Sequence, residues 1–318
     1  MKAVAVIGKN YGDEGKGHAV AYFAEHYPEN TLVVKHNGGA QAGHTVETED
    51  CRFVFHQFGA GSFSNKATFL YKTFLFDPLK VQEEKEALSQ CIETVPDLYV
   101  DTRCRITTVY DVLMNQYIEE RRGRARHGSC GMGIWETVLR NQSKYLLTVN
   151  HLYNQSLPYV VAKLRKIRDE YCCERLRNKY HDDDFLSWRD GLFMDDVLLE
   201  NAAYAIMTGI NSVKVVTDIR SLLGKFDHFI FEGAQGLLLD GDGNEYNPYS
   251  TPSATGIKNV LDFHNEMGLS ADQTHLEVCY VTRSYITRHG VGPLENECSK
   301  DNINESMEIG RASCRERV

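Results

Sequence analysis

The 318-residue chain has only seven prolines, no run approaching the roughly 18 consecutive apolar residues of a membrane helix, and no excess of basic side chains. Sparse proline, with 42% apolar and 25% charged residues, argues against a disordered or fibrous chain and for one large or two small folded domains. Thirty-five Lys and Arg stand against 44 Asp and Glu, and the net charge of −9 weakens any broad attraction to nucleic-acid phosphates, so no nucleic-acid partner is expected. The N-terminus runs directly into a strand-like segment instead of a secretion signal, and no membrane partner is expected either; the expected location is the cytoplasm. The nine cysteines include no C-x-x-C pair, and adjacent Cys172 and Cys173 cannot bridge each other in ordinary geometry. Reduced thiols and no structural zinc are the expectation.

What is present is an alternation of short apolar runs with helical patterns. Residues 2–8 read KAVAVIG, a strand-like run that ends in glycine, and a helix is expected from Lys16. Further strand-like runs occupy residues 31–34, 67–71, 212–217, 226–231 and 276–282. The pattern predicts an α/β fold with a mostly parallel central sheet and flanking helices, similar to P-loop NTPases. Val160, Leu164, Ile167 and Tyr171 follow helical spacing with basic residues on the other faces, so residues 150–210 read as a helical insertion packed on the sheet. Residues 1–307 are expected to form one α/β domain. Residues 308–318 carry three arginines and no apolar periodicity, and 309–318 can be encoded by a common short-read sequencing adapter. This tail reads as non-native, with the natural sequence incomplete at its C-terminus.

Three loops carry chemistry. Residues 8–17 place four glycines and Lys16 between a strand and a helix, a composition that lets backbone N–H groups approach phosphate. The loop departs from the G-x-x-x-x-G-K-[ST] pattern, because Gly17 stands where a magnesium-binding hydroxyl belongs, which leaves Asp13 as the candidate metal ligand. A turn that merely joins strand to helix is the alternative on this motif alone. Residues 36–45 place three glycines after the second strand, with His44 able to donate a proton or a hydrogen bond near neutral pH. Residues 231–236 follow a third strand, and Gln235 is placed to read a polar substrate edge. Residues 240–244 look faintly like a calcium loop but lack its glycine and closing glutamate, so they read as a turn.

Together YGDEGKG (11–17), NGGAQAGHT (37–45) and FEGAQG (231–236) resemble the adenylosuccinate synthetase family. Matches at 128–134 and 285–293 extend the resemblance, in the family's order, over most of the chain. It implies a GTP-dependent carbon–nitrogen ligase that joins IMP to L-aspartate with Mg2+, through a 6-phosphoryl-IMP intermediate, as a homodimer. By resemblance Asp13 is the base, Asp13 and the Gly43 carbonyl hold the metal, His44 is the general acid and Gln235 holds the purine. Gly12, Asp13, Glu14, Gly15, Lys16, Gly17, Gly43, His44 and Thr45 then surround the GTP phosphates. IMP is expected against Asp13, Lys16, Gln41, Ala42, Gly43, His44, Ser129, Cys130, Gln235 and Thr251. Arg140 matches an arginine that reaches the neighbouring subunit's nucleotide, with a solvated helix arginine as the alternative.

Departures accompany these matches. The family commonly has tryptophan at Tyr11, asparagine at Gln41 and threonine at Cys130, whose thiol donates only weakly. Its aspartate-gripping and guanine-reading loops lie beyond residue 293 and are absent here. Two alternatives therefore stand beside the leading expectation: a phage-type synthetase acting on a guanine monophosphate, and a non-catalytic purine nucleotide-binding relative.

Overall fold

The computed structural model describes residues 1–125, 127–241, 249–270, 273–289, 292–297 and 316–317. Its first strand, β1 (Lys2–Gly8), buries six of seven residues because its two faces enter different cores. Val4 and Val6 point into one, and Ala3, Ala5 and Ile7 into the other. Covering both faces is what turns a strand into a continuous apolar run. The chain continues through α1 (Lys16–His26), β2 (Thr31–Lys35), a hairpin of β3 (His44–Glu47) and β4 (Arg52–Phe55), β5 (Ala67–Leu70), β6 (Leu75–Phe76), α2 (Val81–Leu88), β7 (Leu98–Asp101), β8 (Arg105–Ile106), α3 (Val109–Arg122) and α4 (Ile134–Asn141). A helical stretch follows: α5 (Val149–Leu152), α6 (Leu157–Lys166), α7 (Cys173–Arg177), α8 (Asp183–Trp188) and α9 (Asp196–Asn211). The last elements are β9 (Lys214–Val216), β10 (His228–Gly236), α10 (Lys258–Glu266), β11 (His275–Val281), β12 (Arg288–His289) and β13 (Glu316–Arg317).

Seven strands form the central sheet in the order β11-β1-β10-β2-β5-β7-β9. Every neighbouring pair in it is parallel. Helix α1 contributes Val20 and Ala24 to one face, and α10 contributes Val260 and Phe263 to the other. The decisive feature is β10, which inserts between β1 and β2 although those two strands follow each other in sequence. The loops leaving β1, β2 and β10 are thereby neighbours at the carboxyl edge, where α/β sheets bind ligands.

The stripe read at residues 160–171 faces the core: Val160 and Leu164 are wholly buried and Ile167 is 3% exposed. The helix carrying it widens into a π-helical turn at Ile167–Cys172 before α7. Strand β10 runs further than its apolar stretch, so the FEGAQG motif is the end of a strand and not a loop. His44 likewise opens β3. The expectation of reduced thiols fails at one pair, since Cys51 and Cys91 are disulfide-bonded. They lie 40 residues apart, and packing of the β3–β4 turn against the chain just beyond α2 brings their Cα atoms to 5.8 Å. Of the tail read as non-native, Glu316–Arg317 is described, paired antiparallel with Arg288–His289.

Candidate active site

The loop after β1 is organised by its own side chains. Glu14, buried at 7% exposure, accepts the N–H groups of Asn10 and Gly12 at 2.8 Å each through Oε1. Lys16, the first residue of α1, donates to Glu14 Oε2 at 3.1 Å and to the Gly12 carbonyl at 2.7 Å. Gly12 needs to be glycine: its φ is 112°, and a Cβ there would lie 3.0 Å from Gln235 Cα. The β1 loop therefore packs directly on the end of β10. Asp13 stands half-exposed on this loop, and Thr287 Oγ1 lies 3.5 Å from its Oδ2.

The loop after β2 is clasped to the same strand. Asn37 pairs with the backbone of Ala234, donating from Nδ2 to its carbonyl at 2.9 Å and accepting its N–H at 2.7 Å. Gly17, in the first turn of α1, leaves room for β3: a Cβ there would stand 3.1 Å from His44 Cβ and 3.0 Å from the Thr45 carbonyl. Gly12 against Gln235, Gly17 against His44 and Thr45, and Asn37 against Ala234 thus join all three motifs in one place.

His44 is 6% exposed and its Nδ1 lies 2.5 Å from Glu232 Oε1. Glu232 is completely buried, where desolvation alone would raise its carboxyl, but Lys35, His44 and the Ala60 N–H hold it at about 2. Burial lowers the His44 imidazole and outweighs the opposite pull of Glu232. A neutral ring beside an ionised carboxylate carries its proton on Nδ1, so Nε2 is the nitrogen left for a ligand.

Three of the residues expected to meet a purine monophosphate have buried polar atoms with no hydrogen-bond partner among the described residues. These are both amide atoms of Gln41, Oε1 of Gln235 and Oγ1 of Thr251. Orphaned buried polar atoms are uncommon in native folds, and each is a place where a ligand can supply the partner. Gln235 also adopts φ 63°, left-handed backbone that a non-glycine residue rarely enters.

Other expected residues fare differently. Ser129 and Cys130 are exposed on the connection between α3 and α4, where Ser129 Oγ donates to Asn115 Oδ1 at 2.9 Å. This connection reaches the site's rim indirectly: His127 lies edge-on to Tyr249, whose carbonyl accepts from Arg288 at 3.1 Å, and the Arg288 guanidinium sits 4.6 Å above the Tyr11 ring. Gly43 is exposed, Ala42 and Thr45 are half-buried, and Gly15 adopts φ 90° just before α1. Arg140 is a correction. It neither projects towards another subunit nor lies in solvent, being 0% exposed. It makes a two-point contact with Asp111 at 2.8 Å and donates to the carbonyls of Ile106 and Tyr145 at 2.7 and 2.9 Å. Reading from sequence missed Asn37, Lys35 and Glu232; all three lie in or beside the motifs, but their partners are set by the fold.

The donor set suits a cation that arrives with nucleotide phosphates. Mg2+ takes hard oxygen ligands, is held by one or two carboxylates and keeps water and phosphate for the rest. Of the two expected ligands Asp13 is a half-exposed carboxylate and Gly43 an exposed residue, and among the described residues there is no cluster of three acidic, imidazole or thiol groups that would form a resident cage.

The adenylosuccinate synthetase family profile matches residues 5–318. The chain belongs to the adenylosuccinate synthetase family. It is 29% identical over 303 residues to the adenylosuccinate synthetase of Lactobacillus helveticus (strain DPC 4571), covering 93% of this chain and 65% of that protein. With the Bacillus subtilis (strain 168) enzyme it shares 26% identity over 317 residues, covering 98% and 68%. The chain thus spans about two thirds of the length of these curated relatives. Among solved structures, the fully ligated adenylosuccinate synthetase from Plasmodium falciparum superposes with a TM-score of 0.69 at 22% identity, covering 94% of this chain and 66% of that one. A cyanophage S-2L succinoaminodeoxyadenylate synthetase bound to dGMP, with dATP as energy donor, gives 0.63 at 17%, covering 99% and 77%. At these identities both likenesses concern the fold.

Proposed function

We propose that this member of the family is a GTP-dependent ligase that joins IMP to L-aspartate, giving adenylosuccinate, GDP and phosphate, and that it works as a cytoplasmic homodimer. The observation that carries the reading is the meeting of the three motifs where β1, β2 and β10 end, with buried polar atoms of Gln41, Gln235 and Thr251 left without a partner among the described residues. A purine monophosphate offers donors and acceptors to all three. In this reading Asp13 takes the proton from N1 of the purine, and O6 attacks the γ-phosphoryl group of GTP as GDP leaves. The aspartate amine then attacks C6, and phosphate departs with the oxygen that was O6. His44, its Nδ1–H taken by Glu232, gains a second proton at Nε2 as the anionic phosphates bind and donates it towards the charge that develops during transfer, while Gln41, Gln235 and Thr251 fix the purine nucleotide. Asp13 and the Gly43 carbonyl would hold Mg2+, which would supply charge neutralisation at the phosphates.

A second reading, a synthetase acting on a guanine monophosphate, is favoured by Gln41 and Cys130. The longer amide and the weaker thiol donor stand where the family commonly has asparagine and threonine. Phosphate release measured with GTP and L-aspartate, offering IMP and dGMP in parallel, separates the two. Turnover of IMP is expected; turnover of dGMP alone transfers the proposal to the second reading, and nucleotide binding without phosphate release transfers it to a non-catalytic role. Asp13→Ala should abolish turnover while the melting temperature stays within about 2 °C, since a rim carboxylate contributes little to the core.

A further inference from the structure

The Glu232 carboxylate is held from three directions. Strand register sets Lys35 of β2 directly beside it, and Lys35 Nζ donates to Oε1 at 3.1 Å and to the Phe58 carbonyl at 3.4 Å. His44 of β3 meets the same oxygen at 2.5 Å, and the Ala60 N–H reaches Oε2 at 2.9 Å. Lys35 and Glu232 are both 0% exposed. A buried ion pair is a poor device for stability alone, because desolving two charges offsets most of their attraction, and apolar residues of similar volume usually serve as well. Packing by itself would be met by side chains such as Ile230 and Phe231 on the same strand. The pair also fixes one carboxylate oxygen in line with one ring nitrogen.

We infer that Glu232 is a positioning residue: clamped by Lys35 and the Ala60 N–H, it takes the Nδ1–H of His44 and so aims Nε2 at the transferring phosphoryl group. This inference rests on the function proposed above. It assigns Lys35 a matching part, that of keeping the carboxylate ionised and fixed where packing would otherwise exclude it.

The test compares wild type, Glu232→Ala, Glu232→Gln and the double variant Lys35→Met/Glu232→Gln, all in the full chain, by initial rates with IMP, GTP and L-aspartate. For Glu232→Ala, kcat is expected to fall about 100-fold, the scale of an ångström-sized misplacement, while KM for IMP and GTP moves by less than about threefold. Glu232→Gln leaves Lys35 unpaired and should melt lower. The double variant should recover the melting temperature without recovering kcat. A double variant that regains wild-type kcat would mean that Glu232 only neutralises Lys35, and the inference fails. A second readout needs no turnover: long-range proton–nitrogen spectra of histidine-labelled protein should find a proton on His44 Nδ1 in wild type and a mixture of tautomers in Glu232→Ala. A wild-type ring with no proton on Nδ1 overturns the inference. A wild type that turns over none of the substrates counts against the proposed function and leaves this spectral answer standing.

Discussion

At the scale of single residues, His36 is the clearest case of chemistry constrained by its surroundings. The imidazole is 0% exposed, lies edge-on to Phe231 with centroids 6.3 Å apart, and has no hydrogen-bond partner on either nitrogen among the described residues. Burial pushes its pKa from 6.5 down to about 4, against the opposing pull of Glu232. The folded state therefore binds the proton more weakly than the unfolded chain does. Stability from this group is complete above about pH 6.5 and is lost as the pH falls towards 4. Between pH 7.5 and 4.5, wild type should lose about 2 kcal/mol more unfolding free energy than His36→Phe, measured by urea denaturation. Equal losses in the two proteins would show that His36 is not the group responsible. Arg140 carries the converse lesson. Its place in the family pattern was legible in the sequence, but its burial against Asp111 was not, because Asp111 precedes it by 29 residues in another helix.

Between residue and fold stand the contacts that lock one element to another. One carboxylate of α2, Glu84, accepts the N–H groups of His56, Gln57 and Phe58, at 2.7 Å for His56, 2.8 Å for the closer Gln57 contact and 3.1 Å for Phe58. This fixes the chain as it leaves β4, just before Ala60 donates to Glu232. Burial raises the Glu84 carboxyl, with the three N–H groups pulling the other way. Glu84→Ala leaves those buried donors without their acceptor and should cost about 3 kcal/mol or more in thermal or urea unfolding. A loss below about 1 kcal/mol would mean that water replaces the carboxylate at no great penalty. Nothing in the local sequence marks Glu84 as a buried acceptor, because the N–H groups it takes lie 26 to 28 residues earlier.

For the molecule as a whole, the insertion of β10 between β1 and β2 makes the candidate site a junction of chain segments nearly 200 positions apart, as the 197-residue separation of Asn37 and Ala234 records. A ligand bound there ties together the centre of the sheet, so its binding energy should be felt by the cooperative unfolding of the fold. IMP at about 100 times its dissociation constant adds about 2.7 kcal/mol by mass action, which for a chain of this size raises Tm by on the order of 5 °C. Differential scanning fluorimetry with IMP and with dGMP checks this. An unchanged Tm with both nucleotides would remove the site from the junction.

The sequence by itself determined where six of the seven strands of the central sheet lie, β7 excepted, which glycines open the loops that follow them, and the family to which the chain belongs. Those properties depend on side-chain period and on residues close in the chain, where burial on both faces makes β1 a continuous apolar run and a phosphate-type loop needs small residues at fixed spacing. Only the tertiary structure decided that Lys35, Glu232 and His44 share one oxygen, that Cys51 meets Cys91, that Arg140 is an interior residue, and that Gln41, Gln235 and Thr251 have buried atoms without a partner among the described residues. The reason is strand order. Glu232 lies 188 residues beyond His44 and 197 beyond Lys35, and no local pattern states that β10 will return between β1 and β2 to bring them together.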